Sequence, residues 1–278
     1  MLGQQLLREL RMRGHLVDGV SRQGPDYEVD FSKPGLAAAL VRQLAPDTVW
    51  NAAAIVNLSA CERDPGIAYA VNARAVAEMM QECRATGARL VQVSTDHYFC
   101  GDGKSLHDEA APVQLVNEYA RTKFAGEAFA ITYSESLVLR TNITGFRGRS
   151  DEPTFAEWVF DVVTRDLPVT LFDDMYTSTL DTRSFCKVAC DLLDKGARGI
   201  INLASSEVST KKVFIEAVAA SLGCSLSRAS VGSVHTLTPP RANSLGLDVS
   251  RAEALLGYCL PDLATVIENL VLEYKGSK

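Results

Sequence analysis

The 278 residues contain no run of Lys and Arg dense enough to track a phosphate backbone, and 34 acidic against 28 basic side chains give a formal charge of −6. A nucleic-acid partner is therefore not expected. No apolar stretch approaches the ~20 residues that span a bilayer, and Met1-Leu2-Gly3 runs into Gln4-Gln5-Leu6-Leu7-Arg8 without the apolar core of a signal peptide. The expectation is a soluble, cytoplasmic protein with no membrane partner. The seven cysteines include no C-x-x-C pair, and their odd number argues against a complete disulfide framework. Cys186 and Cys190 stand four apart, but no His or further Cys lies at zinc-ligand spacing. They suit an apolar helix face, so no metal site is expected.

Apolar residues make up 47% of the chain and charged residues 22%, the balance of a globular protein with a sizeable core. Leu2, Leu6, Leu7 and Leu10 recur at helical spacing and predict an opening helix stopped near Gly14. A strand is expected at His15–Val20, a helix from Pro34 to Leu44, and a short buried strand from Thr48 to Ala54. A long helix at Ala68–Thr86 and a strand at Arg89–Ser94 follow. Further on, helices are expected at Tyr119–Tyr133, Phe155–Arg165, Arg183–Leu193, Lys211–Leu222 and Leu263–Tyr274. Strands are expected at Ser136–Arg140, Pro168–Phe172 and Gly199–Leu203. Such alternation predicts an α/β fold with a doubly wound parallel sheet. Between Gly223 and Leu260 the alternation fails, and this irregular 223–260 stretch, with Pro239-Pro240, is the candidate for a small C-terminal substrate lobe. The expected division is a nucleotide-binding part, 1–142, and a second part, 143–278, with the remaining strands and that lobe.

Tyr119 and Lys123 stand at i and i+4, so a helix carries both on one face. An amine beside a phenol favours the phenolate, which lowers a pKa near 10 and makes the Tyr a usable proton donor and acceptor. Tyr/Lys pairs at this spacing are also common on helix surfaces. Ser94-Thr95-Asp96 lies at the carboxyl end of a predicted strand, where a hydroxyl could converge on the same substrate oxygen or merely cap the next segment. Asn51-Ala52-Ala53-Ala54 ends the preceding strand with small residues that let a cofactor approach the backbone.

As an ordered set, Asn51-Ala-Ala-Ala54, Glu62-x-x-Pro65, Ala68-Tyr-Ala-Val-Asn72, Ser94-Thr-Asp96, Tyr119-x-x-x-Lys123-x-x-Gly126-Glu127 and Leu139-Arg-Thr141 resemble the extended short-chain dehydrogenases/reductases. Within these the chain is most similar to the dTDP-4-dehydrorhamnose reductase group, through to Arg241-Ala-Asn-Ser-Leu-Gly-Leu-Asp248 and Ala254-Leu-Leu-Gly257. The resemblance implies a Rossmann-like fold and NAD(P)H-dependent reduction of a 4-keto group on a nucleotide-linked deoxysugar. It makes Tyr119 the proton donor, Lys123 the residue that binds the nicotinamide ribose and shifts the Tyr pKa, and Thr95 a hydrogen-bond partner of the carbonyl oxygen. For NADP(H) or NAD(H) it implies contacts from Gly3, Arg22, Asp30, Phe31, Asn51, Ala52, Ala53, Ala54, Asn72 and Ser94, besides Tyr119 and Lys123. Asp30 could equally be a turn residue, and Asn72 a buried amide steadying a strand end. Val20-Ser21-Arg22 offers no acid for the ribose hydroxyls, and Arg22 could meet a 2′-phosphate or simply be solvated. Substrate contacts are implied for Thr95, Asp96, His97, Asn142, Ile143 and Arg241, and a homodimer is a further expectation. Two other functions share the pattern. One is a non-catalytic regulatory subunit resembling the beta subunit of methionine adenosyltransferase, and the other is a sugar-nucleotide epimerase or dehydratase.

Some positions depart from the reductases. Leu58-Ser59-Ala60-Cys61-Glu62 stands where they carry Val-Asp-Lys-Ala-Glu, Ile143 where they carry an aromatic residue, and His97 where they carry Tyr. His97 fits a titrating substrate contact or a structural imidazole. Met1-Leu2-Gly3 matches only the last three positions of the family's G-x-x-G-x-x-G loop. The chain is thus expected to be truncated at its amino end, inside its own cofactor site. The first, central strand would then be absent, and two neighbouring strands would lack backbone partners.

Overall fold

A computed structural model of the chain describes residues 1–23, 26–148 and 153–276. The first part holds α1 (Leu2–Met12), β1 (Val20–Ser21), β2 (Tyr27–Glu28), α2 (Leu36–Leu44) and β3 (Thr48–Asn51). Then come α3 (Leu58–Arg63), α4 (Pro65–Tyr69), α5 (Ala75–Thr86), β4 (Arg89–Val93), α6 (Glu118–Ala130) and β5 (Ser136–Arg140). The second part holds β6 (Ile143–Thr144), α7 (Phe155–Thr164), β7 (Val169–Phe172), β8 (Tyr176–Thr177), β9 (Leu180–Asp181), α8 (Thr182–Asp194) and β10 (Gly199–Asn202). It continues with β11 (Ser209–Thr210), α9 (Lys211–Leu222), β12 (Ala229–Gly232), β13 (Ser244–Leu245), α10 (Ser250–Leu256) and α11 (Leu263–Gly276).

The main sheet is parallel, in the order β10-β5-β4-β3. Every residue of β5 is buried, as befits a parallel strand covered on both faces. Side chains alternate across the pleat, so Leu90 and Val138 enter one core with Ala37, Val41, Val76, Met79 and Met80 from α2 and α5. Val91, Leu137 and Leu139 enter the other, with Leu2, Leu6 and Leu10 of α1 and Cys186 and Cys190 of α8. The carboxyl ends of β3, β4 and β5 thus open at one edge between two helical layers, where such sheets bind ligands.

Several expectations need correction. The strand at His15–Val20 shrinks to β1, because its backbone pairs only with β2; Leu16 is left fully exposed. The strand expected to reach Ala54 stops at Asn51, where its ladder with β4 ends. The long helix starts at Pro65 rather than Ala68 and passes through a π turn at Ala70–Arg74. The stretch 223–260 is less irregular than its pattern suggests: β12 pairs in parallel with β7, β13 with β8, and α10 follows. In the main sheet β3 is outermost, while β1 and β2 form a separate parallel ribbon.

Candidate functional site

Helix α6 places Tyr119 and Lys123. Asn117 caps it, its side-chain oxygen accepting from the Ala120 amide at 2.8 Å while its amide nitrogen donates to the Pro240 carbonyl at 3.0 Å. The cap therefore ties the C-terminal part to the site. Glu127, one turn beyond Lys123, receives Arg140 of β5 in a buried bidentate pair at 2.8 and 3.1 Å. Gly126 lies against the π turn so closely that a Cβ would overlap the Asn72 carbonyl oxygen. Gly126 and Glu127 thus set the approach of α6 to the sheet, a role the sequence motif alone did not disclose.

Lys123 Nζ donates to the Val93 carbonyl at the end of β4, at 2.7 Å. Burial pulls the amine down to about 8, against a raising influence from Glu127. The expected lowering of the Tyr119 pKa is not what the structure shows. Burial drives the phenol well above its usual value, hydrogen bonding from Thr95 opposes this, and the Asp96 charge adds to it. Desolvation of the phenolate outweighs the Thr95 hydrogen bond, and the neighbouring amine is directed at Val93. Tyr119 is therefore a protonated phenol throughout the neutral range.

Ser94, Thr95 and Asp96 follow β4 and are all buried. The Ser94 hydroxyl meets the Tyr98 hydroxyl at 3.1 Å, and Thr95 Oγ1 accepts from the His97 amide at 3.2 Å. Asp96 accepts from Asn142 Nδ2 at 2.6 Å. Burial pushes its carboxyl up to about 7 while Asn142 and Lys211 pull it down. His97 stands edge-on to Tyr119, with ring centroids 5.5 Å apart, and its buried Nδ1 has no partner among the described residues. Burial, then the charges of Lys211 and Arg241, hold its pKa down to about 4, so the ring is neutral at pH 7.

These groups line one cavity of about 1980 Å³, shared with Gly3, Arg22, Asp30, Phe31, Asn51, Ala52, Ala53, Ala54, Asn142 and Ile143. Asn51 is held by Gln92 at 2.7 Å and accepts from the Ala53 amide at 3.1 Å, which shapes the alanine segment. Asp30 forms a turn, accepting from the Ser32 amide at 2.9 Å. Two implied contacts do not reach the cavity. Asn72 faces inward, bonding both backbone groups of Ile55 and the Thr122 hydroxyl. Arg241 lies outside the lining, although its charge is felt at His97 and Lys211. Lys211, the first residue of α9, escaped the sequence reading because it looks like an ordinary charge at a helix start. Among the described residues no His, Cys, Asp and Glu cluster could hold a metal ion, and no helix is long and apolar enough to cross a membrane.

A nicotinamide dinucleotide fits part of this cavity. The amino end of α1 has no side-chain cap, and a Cβ built on Gly3 would meet only open space, which leaves room for a phosphate at first-turn amides. Lys123 uses one described bond of its three donors, leaving the others for a ribose hydroxyl.

A parallel α/β sheet with a buried Ser-Thr and Tyr/Lys cluster at its carboxyl edge defines a nucleotide-dependent protein of the short-chain dehydrogenase/reductase kind. More specifically, the chain belongs to the RmlD substrate binding domain family, whose model matches residues 1–274. It is similar to the probable low-salt glycan biosynthesis reductase Agl14 of Haloferax volcanii, 30% identical over 274 residues, 95% of this chain and 91% of that protein. It is also similar to dTDP-4-dehydrorhamnose reductase of Mycobacterium tuberculosis (strain CDC 1551 / Oshkosh), 31% identical over 218 residues, 71% of this chain and 67% of that protein. A crystal structure of dTDP-4-dehydrorhamnose reductase from Bacillus anthracis in complex with NADP superposes with a TM-score of 0.85 at 18% identity, covering 98% of this chain and 95% of that one. The last likeness shows the fold, which is Rossmann-like.

Proposed function

We propose that this chain is an NAD(P)H-dependent reductase acting on the 4-keto group of a nucleotide-linked deoxysugar. The observation that carries the reading is the buried recess in which Thr95, Tyr119 and Lys123 meet at the carboxyl edge of the sheet. A reduced nicotinamide supplies the hydride when bound. Tyr119, held protonated by burial, is suited to give its proton to the developing alkoxide. Thr95 orients the same oxygen, and Lys123 holds the ribose from its anchor on Val93. His97 brings a buried, neutral imidazole, its Nδ1 without a partner among the described residues, to the wall where a sugar hydroxyl would lie. Asp96, Asn142 and Ile143 form the adjoining wall, and Arg241, outside the lining, acts on the site only through its charge at His97 and Lys211.

Asp30 and Phe31 are assigned to the adenine end, and Ala52, Ala53 and Ala54 to the path of the cofactor. Arg22 favours NADP(H) over NAD(H), and Arg22→Ala should lose that preference. The division into a nucleotide-binding part, 1–142, and a second part, 143–278, belongs to the same reading, as do a cytoplasmic compartment and a homodimer. The test is consumption of NADPH by the purified protein with dTDP-4-dehydrorhamnose as substrate. Binding of NADPH without turnover would favour the regulatory-subunit reading instead.

A further inference from the structure

Lys211 lies at the start of α9, half-buried, with Nζ 4.3 Å from the Phe155 ring centroid. Among the described residues no carboxylate stands within ion-pair distance of it. Its described hydrogen-bond partner is Thr179 Oγ1, at 3.4 Å. Thr179 Oγ1 in turn donates to Asn142 Oδ1 at 2.9 Å, and Asn142 Nδ2 donates to Asp96 Oδ2 at 2.6 Å. The other Asp96 oxygen accepts from Thr95 Oγ1 at 3.4 Å. The ammonium can only donate and Asn142 Oδ1 can only accept, so Thr179 gives its one proton to Asn142 and accepts from Lys211 and from Thr177 Oγ1, 3.0 Å away, while the Asn142 amide faces Asp96.

We propose that Lys211 is a positioning residue of the reductase site, holding Asp96 as a carboxylate through Thr179 and Asn142 so that the Thr95 hydroxyl keeps one orientation beside Tyr119. This deepens the proposed reductase reading and rests on it. Thr95 Oγ1 accepts from the His97 amide and donates to Asp96 across a long 3.4 Å, a bond that yields when a substrate oxygen arrives to take the same proton, and its remaining lone pair is left for the phenol. If Asp96 were protonated, its own O–H would compete for that oxygen and the Thr95 proton would lose its acceptor. The groups facing Asp96 come from each surrounding element: Thr95 and His97 beside it, Tyr119 on α6, Asn142 after β5, and Lys211 on α9, with Arg241 of the C-terminal part acting on Lys211 and His97. His97 does not titrate near neutrality, and Arg241 keeps its charge. Asp96, raised to about 7 by burial, and Lys211 and Lys123, each lowered to about 8 by burial, titrate there, and of these only Asp96 and Lys211 are joined by the Thr179 and Asn142 chain.

The experiment uses the full chain, uniformly labelled with 13C-aspartate, with the Asp96 carboxyl resonance assigned by its loss in Asp96→Asn. Titrations compare the parent, Lys211→Met, which keeps the alkyl stem on the Phe155 ring, and Lys211→Arg. Loss of the cation should raise the Asp96 midpoint by about one unit, and Lys211→Arg should restore it. The pH profile of kcat/KM for the keto sugar should move with it: about a fivefold loss at pH 7 in Lys211→Met, recovering in the alkaline range as Asp96 ionises. An Asp96 midpoint unmoved in Lys211→Met overturns the proposal, as does a moved midpoint with an unmoved kinetic profile. The titration needs no substrate, so absence of turnover in the parent would remove the reductase reading while the resonance still decides the link between Lys211 and Asp96.

Discussion

Tyr119 can donate a proton only because it keeps one, and burial secures that more firmly than the Thr95 hydrogen bond opposes it. Replacement by Phe preserves the ring packed against His97 and removes the proton. Tyr119→Phe should therefore lower kcat by about 10² to 10⁴ while the NADPH dissociation constant stays within about twofold. Steady-state kinetics beside a binding titration checks this, and near-parental turnover would eliminate Tyr119 as the donor. Lys123 makes a prediction of the opposite kind. Its pKa falls from 10.5 unfolded to about 8 folded, chiefly through burial, so the unfolded chain binds more protons between those values and stability rises with pH across that window. Below it, the buried ammonium costs on the order of 3 kcal/mol. Lys123→Met should thus be more stable than the parent at pH 7, by an amount that shrinks as pH climbs toward 10; parallel urea titrations decide it, and a constant difference would refute the linkage. The positions of Thr95, Tyr119 and Lys123 were legible in the sequence because helix spacing and strand ends are local. The direction of the Tyr119 shift was not, since desolvation depends on what covers the ring.

At the scale of elements, α6 is locked to its neighbours by two features of one motif. Arg140 and Glu127 fasten it to β5, and Gly126 lets it touch the π turn ahead of α5. That turn also directs the Asn72 side chain to both backbone groups of Ile55, which steadies the segment after the three alanines. Gly126→Ala should force the two helices apart and cost about 2–3 kcal/mol, the usual penalty of overpacking. A drop in urea midpoint with an unchanged slope is the expected result, and parental stability would mean that the helices have room to spare. Elements such as β5 and α9 were legible because each carries a self-sufficient pattern: a continuous apolar run in one case, a capped amphipathic stretch in the other. By contrast, β12 reads Ala-Ser-Val-Gly, which has no periodicity of its own and becomes a strand only by pairing with β7. The π turn likewise follows from packing against α6 and leaves no mark in the local sequence.

On the scale of the whole molecule, the cavity is larger than its chemistry requires. Small-molecule sites commonly occupy about 300–1,000 Å³, against about 1980 Å³ here. Leu6 and Leu10 of α1, Leu40 and Val41 of α2, Val20 of β1 and Val49 of β3 line the same space as Tyr119. Both β1 and β3 border it, and neither pairs with the other. The unpaired edges of β1 and β3, with apolar side chains of α1 and α2 in the same lining, make a hydrogen-bonding and packing complement of one more strand. A glycine turn leading from such a strand into α1 would add amides to those at the start of that helix, where a pyrophosphate would sit. We therefore expect that a version carrying an apolar strand and a Gly-x-x-Gly turn ahead of Met1 binds NADPH more tightly than the 278-residue chain. Each added charge-assisted hydrogen bond contributes roughly 1.5–3 kcal/mol, so a gain of about two decades in affinity is expected. The thermal midpoint should rise as well, because the apolar walls and both strand edges gain partners. Calorimetric titration of NADPH into the two forms, with melting curves of each, is the measurement. Micromolar binding by the 278-residue chain, unchanged by the added strand, would show that the surplus space is not a strand site and that α1 alone suffices to hold the pyrophosphate.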